Sequence, residues 1–262
     1  CPDLIISGLA SDSRDVQQGY IFFALQGSRQ NGIDFIAEAS SRGAAAIVVD
    51  SRDYAAIQGA TNVIPTKVPI LVIEGLVFCV SKIAGRFYSV PSHGMDLIGV
   101  TGTNGKTTCA VLYANLSSQL KSALGMSSDL NRSGFVGTLG CGIVESASKG
   151  AVSMDAVALK SSLTTPDAIT MQSVLAQLAE RRVTDVSIEV SSHALDQERI
   201  ADVSIKTAVF TNLSRDHLDY HGSLAAYADA KRKLFKMRSV TNAIINIDDN
   251  LRYSNYIIKS LI

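Results

Sequence analysis

The sequence has no tryptophan, only four cysteines, no net charge and no long apolar run. With 24 basic and 24 acidic side chains, no overall positive field favours nucleic acid or an anionic membrane as a partner. No run of about 18 apolar residues predicts a membrane span, and no leader opens the chain, so we expect a cytoplasmic protein. The cysteines lack metal-ligand spacing, which excludes a zinc framework, and we expect them reduced and packed as small apolar residues.

What is present is an α/β pattern over 262 residues, 47% of them hydrophobic, which is long enough for two domains. In the first part, short apolar runs such as 44–49 and 68–73 alternate with helical patterns and predict a small α/β unit. Residues 89–94 (SVPSHG) are rich in helix and strand breakers. We therefore predict an N-terminal domain over 1–91 and a central domain over 92–262.

The central domain alternates strands with helices. We predict four strands, at 97–100, 183–190, 208–212 and 243–246, separated by helices and by a glycine-rich stretch over 125–142. This order favours a mainly parallel sheet with the ligand at the carboxyl ends of its strands. The lack of an initiating methionine and the abrupt end at Ile262 lead us to expect a fragment whose central domain is incomplete.

The most informative segment is 102–108 (GTNGKTT), which follows an apolar strand and precedes a helical pattern. Glycines let backbone N–H groups point at phosphate oxygens, a lysine adds charge near the outer phosphates, and the next hydroxyl can bind magnesium. The usual loop has a glycine five positions before the Gly-Lys pair, where this sequence has Val100. The segment predicts a nucleoside triphosphate site; a plain strand-to-helix turn is the alternative.

Other polar groups follow the predicted strands. Glu189 ends one strand, where a phosphate-loop protein needs a magnesium ligand, although a surface carboxylate or helix cap fits the segment alone. Residues 212–222 (NLSRDHLDYHG) gather acids, histidines and an arginine, or form a solvated turn. Lys231 shares a helix face with Tyr227, or extends into solvent. Thr165 and Pro166 fit a helix start, with Thr165 as N-cap.

Taken together, these segments resemble the Mur ligases, ATP-dependent enzymes that build the stem peptide of peptidoglycan. The resemblance is strongest to the ligases of the third stem-peptide residue. Its motifs cover nearly the whole chain in order: DSR at 12–14, GTNGKTT at 102–108, LTTPDA at 163–168, EVSSH at 189–193, NLSRDHLDYHG at 212–222, YADAK at 227–231 and NIDD at 246–249.

The resemblance implies roles for individual residues. ATP would be held by Gly102, Thr103, Asn104, Gly105, Lys106, Thr107 and Thr108. Magnesium would be held by Thr107, Glu189, His217 and Lys231 as a carbamate, with Lys106, Lys231 and His217 as the catalytic residues. The substrate, UDP-N-acetylmuramoyl-L-alanyl-D-glutamate, would be bound by Ser13, Ser28, Arg29, Gln30, Thr164, Thr165, Ser191, Gln197 and Arg199. The loop 28–30 lacks the histidine common in the family.

The implied reaction joins meso-diaminopimelate or L-lysine to the substrate through an acyl phosphate, and the implied N-terminal domain binds the uridine nucleotide. The family's C-terminal, amino-acid-binding domain is absent, so we expect a monomeric fragment that cannot ligate by itself. Another Mur ligase step, a folylpolyglutamate-synthetase-like ligase and a non-catalytic nucleotide-binding module are the alternatives. A phosphate-loop kinase or transport ATPase predicts an aspartate where the strand here ends in Glu189.

Overall fold

The computed structural model describes residues 4–27, 30–59, 68–127, 130, 132–145, 153–158 and 163–248. Contacts within the chain divide it into two compact units, Cys1–Ala84 and Gly85–Ile262. This division falls earlier than the change of domain at residue 91 that the sequence indicates. The extent of the two domains therefore stays a prediction.

The first unit is built on a four-stranded, all-parallel sheet in the order β1-β2-β3-β4. All five residues of β3 are buried, which is typical of a parallel strand covered on both faces. Phe22, Ile36 and Ile47 lie at the centre of its core. The strands are β1 Gly8–Ala10, β2 Tyr20–Ala24, β3 Ala46–Asp50 and β4 Ile70–Ile73, and the helices are α1 Ile36–Ser41, α2 Ser51–Gly59 and α3 Leu76–Phe87, which runs across the division. Short 3₁₀ turns are formed by Ser13–Asp15 and Gly32–Phe35.

The second unit contains a seven-stranded sheet in the order β11-β10-β5-β9-β6-β7-β8. The first five strands in this order are parallel, and β7 and β8 are antiparallel to their neighbours. Its strands are β5 Asp96–Thr101, β6 Ser133–Gly137, β7 Gly140–Glu145, β8 Ser153–Ala158, β9 Asp185–Glu189, β10 Ile205–Phe210 and β11 Asn242–Ile245. Its helices are α4 Lys106–Ala123, α5 Ala168–Glu180, α6 Ser192–Asp196, α7 Leu218–His221 and α8 Leu224–Phe235, after a 3₁₀ turn at Pro91–Gly94.

The predicted α/β class and the mainly parallel central sheet are confirmed. Four neighbouring parallel strands, β10, β5, β9 and β6, direct their carboxyl ends to one edge of the sheet. The segments that follow these strands carry most of the predicted site residues. This edge is where ligands bind in open α/β sheets.

The glycine-rich stretch 125–142 contains β6 and the start of β7, two strands that the sequence pattern did not predict. Glycine is unfavourable in strands, so a cluster of glycines gives no strand signal. The structure gives another reason for one of these glycines. A Cβ at Gly137 would lie 2.1 Å from Oε1 of Glu189, so the strand approaches that carboxylate too closely for any side chain.

Helix α5 begins two residues later than its sequence pattern indicates. Its N-cap is Asp167, which accepts hydrogen bonds from the N–H groups of Ile169 (3.0 Å) and Thr170 (3.1 Å). The prediction of Thr165 as the cap is therefore wrong. Its hydroxyl donates instead to the carbonyl oxygen of Glu189, in the site described below.

Cys109 is exposed on α4, contrary to the expectation that the cysteines are buried, whereas Cys141 is buried. Burial raises the pKa of the Cys141 thiol to about 11. Across the described part of the chain, no helix combines the length and apolarity that crossing a membrane requires.

Replacing Asp167 by alanine should lower the free energy of unfolding by about 1 kcal/mol, because two backbone donors of the first turn of α5 lose their partner. Asp167→Asn is the matched control, since asparagine caps as well as aspartate. Urea unfolding followed by far-ultraviolet circular dichroism measures both. Equal stability of the alanine and asparagine variants would contradict the capping role.

Candidate functional site

The loop between β5 and α4 is fastened to the end of β10. The Thr103 N–H donates to the carbonyl oxygen of Asn212 (2.9 Å), and the Asn104 N–H donates to the Asn212 side chain (3.0 Å). The Thr211 hydroxyl donates to the Asn104 carbonyl oxygen (2.6 Å). A Cβ at Gly102, whose φ is +151°, would lie 1.9 Å from Oγ1 of Thr211. Only glycine therefore fits at this crossing of two strand ends.

These contacts restrict which groups can bind phosphate. The N–H groups of Thr103 and Asn104 already have partners in the loop. The first N–H groups of α4, from Lys106 onward, have no partner within the helix, and they carry the positive end of the helix dipole. The N–H groups still open to an anion in this segment are therefore those at the start of α4, and the prediction that residues 102–108 hold the ATP phosphates stays a prediction.

Two lysines converge on one carbonyl oxygen. Nζ of Lys106 donates to the carbonyl oxygens of Gly102 and Thr103, both at 2.9 Å. Nζ of Lys231, from the middle of α8, donates to the same Gly102 oxygen at 2.8 Å. The two ammonium nitrogens therefore lie within about 6 Å of each other. Neutral carbonyl groups do not cancel two positive charges, so the arrangement favours either a bound anion or the loss of a proton from one lysine.

The Lys231 side chain is buried, being 1% exposed. Its ammonium lies 4.3 Å from the centre of the Tyr227 ring, and the Tyr227 hydroxyl is 3.2 Å from Oγ1 of Thr103. Burial, helped by the nearby charge of Lys106, lowers the pKa of Lys231 to about 7, against a smaller opposing effect of Asp216. Burial likewise lowers the pKa of Lys106. The alternative of a solvent-exposed Lys231 is wrong.

Glu189 is fully buried at the end of β9. Its Oε2 accepts a hydrogen bond from the Thr107 hydroxyl (2.8 Å), and its Oε1 accepts one from the Thr138 N–H (2.8 Å). The carboxylate therefore faces the start of α4 and is held from the other side by the turn between β6 and β7. The alternatives of a surface carboxylate and of a helix cap are both wrong.

Magnesium prefers hard oxygen ligands. The Thr107 hydroxyl oxygen and Oε2 of Glu189 are two such oxygens, and they lie 2.8 Å apart. This pair fits the ion. Lys231 fits only after its charge is removed, because an ammonium repels a cation. His217 is half-exposed and its ring packs against His193, 4.8 Å between centres. Over the described ranges, no three carboxylate, imidazole or thiol groups form a metal-binding cluster.

Four of the predicted substrate residues of the second unit, Thr165, Ser191, Gln197 and Arg199, form one hydrogen-bonded network. Buried Thr165 donates to the Glu189 carbonyl oxygen (2.7 Å) and accepts from the Ser191 N–H (3.0 Å). Arg199 donates to the Thr165 carbonyl oxygen (2.9 Å) and to the side chain of Gln197 (3.0 Å). Burial lowers the pKa of Arg199. The structure thus brings this network to Glu189, beside the loop between β5 and α4.

Sequence reasoning missed several residues of this region. Thr138 contacts both Glu189 and Thr164, and it lies in the glycine-rich stretch 125–142, to which the sequence assigned no element and no site residue. Tyr227 was noted only as a neighbour of Lys231. His193 and His221 lie with His217 in a cluster of rings, and burial lowers the pKa of both His193 and His221. Neighbouring rings from separate segments cannot be recognised without the fold.

The first unit has its own cleft of about 510 Å³, lined by residues that include Ser13, Arg14, Gln30 and Glu38. Ser13 donates to Glu38 (2.7 Å), and this hydrogen bond lowers the pKa of the Glu38 carboxyl despite partial burial. Two of the predicted substrate residues, Ser13 and Gln30, therefore line one cleft. Ser28 and Arg29 lie outside the described residues.

Two family models match the chain: the Mur ligase middle domain over residues 100–260, and the Mur ligase family catalytic domain over residues 5–88. A UDP-N-acetylmuramoyl-L-alanyl-D-glutamate–2,6-diaminopimelate ligase of Pseudomonas aeruginosa is 44% identical over 248 residues. That alignment covers 95% of this chain and 46% of the relative. The chain thus spans about half the length of the curated relatives it matches.

Solved structures are also similar. One of a UDP-N-acetylmuramoyl-L-alanyl-D-glutamate–2,6-diaminopimelate ligase matches with a TM-score of 0.70 and 32% identity, covering 97% of this chain and 45% of that one. A MurF ligase of Thermotoga maritima, in complex with ADP, matches with a TM-score of 0.55 and 18% identity, covering 99% of this chain and 50% of that one. The second likeness concerns the fold alone.

The low pKa of Lys231 should appear in the pH dependence of stability. Between its pKa of about 7 in the folded chain and its ordinary value of 10.5, the unfolded chain binds a proton that the folded chain does not. Stability therefore rises with pH in this window. The free energy of unfolding of the wild type, minus that of Lys231→Met, should rise by roughly 1 kcal/mol per pH unit between about pH 7.5 and 9.

Urea unfolding in buffers free of carbon dioxide measures this difference, because carbon dioxide would react with the neutral amine. The Lys231→Met variant is the reference, because the titrating groups that Lys231 does not influence contribute equally in both proteins. Parallel curves for the two proteins would show that Lys231 has an ordinary pKa, and would contradict the account of the site.

Proposed function

Because the chain belongs to the Mur ligase family, we propose that it forms the nucleotide-binding part of an ATP-dependent ligase of peptidoglycan synthesis. The reaction proposed is the addition of the third amino acid to UDP-N-acetylmuramoyl-L-alanyl-D-glutamate, releasing ADP and phosphate. The curated relatives that are named for this activity are about twice as long as the chain, so the activity of the whole protein is part of the proposal.

One observation carries the proposal: the nucleotide residues and the substrate residues meet at Glu189. Its carboxylate accepts from Thr107 at the start of α4, and its carbonyl oxygen accepts from Thr165. Phosphoryl transfer from ATP to a substrate carboxylate requires the two ligands to lie in line at adjacent sites. A residue that contacts both sites is the expected centre of such a reaction.

The start of α4 and Lys106 bind the phosphates of ATP. Their N–H dipoles and ammonium charge face the oxygens on which negative charge builds up as the terminal phosphoryl group moves. Thr107, Glu189, His217 and carbamylated Lys231 hold magnesium, which neutralises part of that charge when bound.

Lys231 becomes a magnesium ligand through its neutral form. The unprotonated Nζ attacks carbon dioxide, a nitrogen–carbon bond forms, and a proton leaves to solvent, so that a cation is replaced by a carbamate anion. The change removes one of the two positive charges at Gly102 and supplies an oxygen ligand. The burial of Lys231 and the nearness of Lys106 both favour the neutral amine that this reaction needs.

In the substrate network, Thr164, Thr165, Ser191, Gln197 and Arg199 hold the muramoyl dipeptide, while Ser13 and the loop 28–30 hold the uridine diphosphate. The dipeptide's free carboxylate attacks the terminal phosphorus of ATP and gives an acyl phosphate and ADP. The incoming amine then attacks the acyl carbon, loses a proton, and the tetrahedral intermediate expels phosphate to leave an amide bond.

The relatives are named as ligases of 2,6-diaminopimelate, which makes it the first amine to test, with L-lysine as the alternative. The proposal includes a monomer in the cytoplasm, where ATP is available. A ligase of another Mur step is the second candidate, since structures of MurF ligases share this fold.

Isothermal titration of the chain tests the substrate directly. We expect UDP-N-acetylmuramoyl-L-alanyl-D-glutamate to bind at least tenfold more tightly than UDP-N-acetylmuramoyl-L-alanine, because a missing partner leaves buried polar groups of the network unpaired. Tighter binding of the tripeptide nucleotide would favour the fourth step. Binding of a pteroate and of no muramoyl nucleotide, by a chain shown to be folded, would contradict the proposal.

Replacing Lys106 by methionine should weaken ADP binding by roughly 10- to 100-fold, the size of a charge-assisted hydrogen bond. Lys236→Met, at the exposed end of α8, is the matched control and should bind ADP as the wild type does. Titration calorimetry in magnesium-containing buffer measures both. Equal loss in the two variants would mean that general positive charge, rather than Lys106, binds the nucleotide.

A further inference from the structure

We propose that Thr138 is a positioning residue that transmits occupancy of the dipeptide site to Glu189, so that the muramoyl dipeptide strengthens binding of the magnesium nucleotide. This inference rests on the proposed function, and it adds a residue and a direction of coupling to it. Thr138 lies in the two-residue turn that joins β6 to β7, and its side chain is exposed at the sheet edge that carries the site.

Thr138 contacts Glu189 in two ways. Its N–H donates to Oε1 (2.8 Å), and its hydroxyl oxygen lies 3.3 Å from Oε2. The close approach is built into the backbone, because a Cβ at Gly137 would lie 2.1 Å from Oε1. The turn is therefore shaped around this carboxylate.

The same Thr138 hydroxyl oxygen lies 3.3 Å from Oγ1 of Thr164, a partly buried residue that the sequence assigns to the substrate site. A hydroxyl group carries one proton and donates one hydrogen bond at a time. The proton of Thr138 is therefore shared between two acceptors: the carboxylate on the nucleotide side and the hydroxyl on the substrate side.

This competition gives the coupling a direction. The dipeptide is rich in carbonyl and carboxylate oxygens, which accept hydrogen bonds. When such an oxygen accepts a hydrogen bond from the Thr164 hydroxyl, Oγ1 of Thr164 no longer donates toward Thr138 and becomes the better acceptor of the two. The Thr138 proton then turns away from Oε2 of Glu189. That oxygen keeps the Thr107 contact and becomes a better ligand for a cation.

The test compares binding of ADP with magnesium, by titration calorimetry, in the absence and presence of saturating UDP-N-acetylmuramoyl-L-alanyl-D-glutamate. For the wild type we expect the dipeptide nucleotide to tighten ADP binding about fivefold, the size of one hydrogen bond. Thr138→Val keeps the N–H and the shape but loses the hydroxyl, so its ratio of affinities should fall to about one. Thr138→Ser retains the hydroxyl and should restore the ratio.

The matched control is Thr241→Val, which changes an exposed threonine just before β11 and should keep the wild-type ratio. A Thr138→Val variant that binds both ligands with the wild-type ratio would overturn the inference and leave the proposed function intact. A wild type that binds both ligands without coupling would overturn it as well. A folded wild type that binds neither ligand would instead overturn the proposed function.

Thermal melting establishes that each variant is folded. If Thr138→Val does not fold, Thr138→Ala against Thr138→Ser makes the same comparison, since both are smaller than threonine and only serine keeps the hydroxyl. Equal ratios in that pair would contradict the inference.

Discussion

The carbonyl oxygen of Gly102 accepts hydrogen bonds from two lysines, and the rest of the site depends on this convergence. Two ammonium groups within about 6 Å repel each other by roughly 3 kcal/mol at the effective dielectric of a protein site. The repulsion and the burial of Lys231 act in the same direction, since each disfavours its charged form. The loop proposed to bind phosphate therefore also favours a neutral amine at Lys231.

The backbone maintains this convergence through close approaches that exclude side chains. Gly102 crosses Thr211, and Gly137 approaches Glu189, each at a distance that a Cβ would not allow. Tyr227 connects α8 to the loop between β5 and α4, because its ring contacts the Lys231 ammonium and its hydroxyl contacts Oγ1 of Thr103. These contacts come from the ends of neighbouring parallel strands, from the residues that directly follow them and from one helix, so the sheet sets the positions of the site residues.

The sequence predicts those parts of the site whose signal is local. The loop at 102–108 and the strand-ending Glu189 stand out because short-range spacing fixes their places at the carboxyl ends of strands. Thr165 was partly misread: a threonine before a proline fits a helix cap, but a tertiary contact to the Glu189 carbonyl oxygen prevails and Asp167 takes the cap. The alternatives for Lys231 differ only in burial, which one helix pattern does not decide.

Thr138 shows what local patterns do not contain. The glycines around it give no strand signal, whereas in the structure they allow β6 to lie close to β9. The two partners of Thr138, Thr164 and Glu189, are 26 and 51 residues away in the chain. Propensity records the average behaviour of glycine, and a close approach between strands is the exception that only the fold reveals. The fold class can be predicted because many alternating strands and helices each indicate it. Each contact of the site depends on one pair of residues that are far apart in the chain, so no local pattern predicts it.

Carbon-13 nuclear magnetic resonance of the chain in ¹³C-labelled bicarbonate tests the central claim most directly, because it observes the product of a neutral Lys231. The wild type should show a carbamate resonance that is lost in Lys231→Met and kept in Lys236→Met. A wild type without this resonance at mildly alkaline pH, or a resonance that survives Lys231→Met, would contradict it.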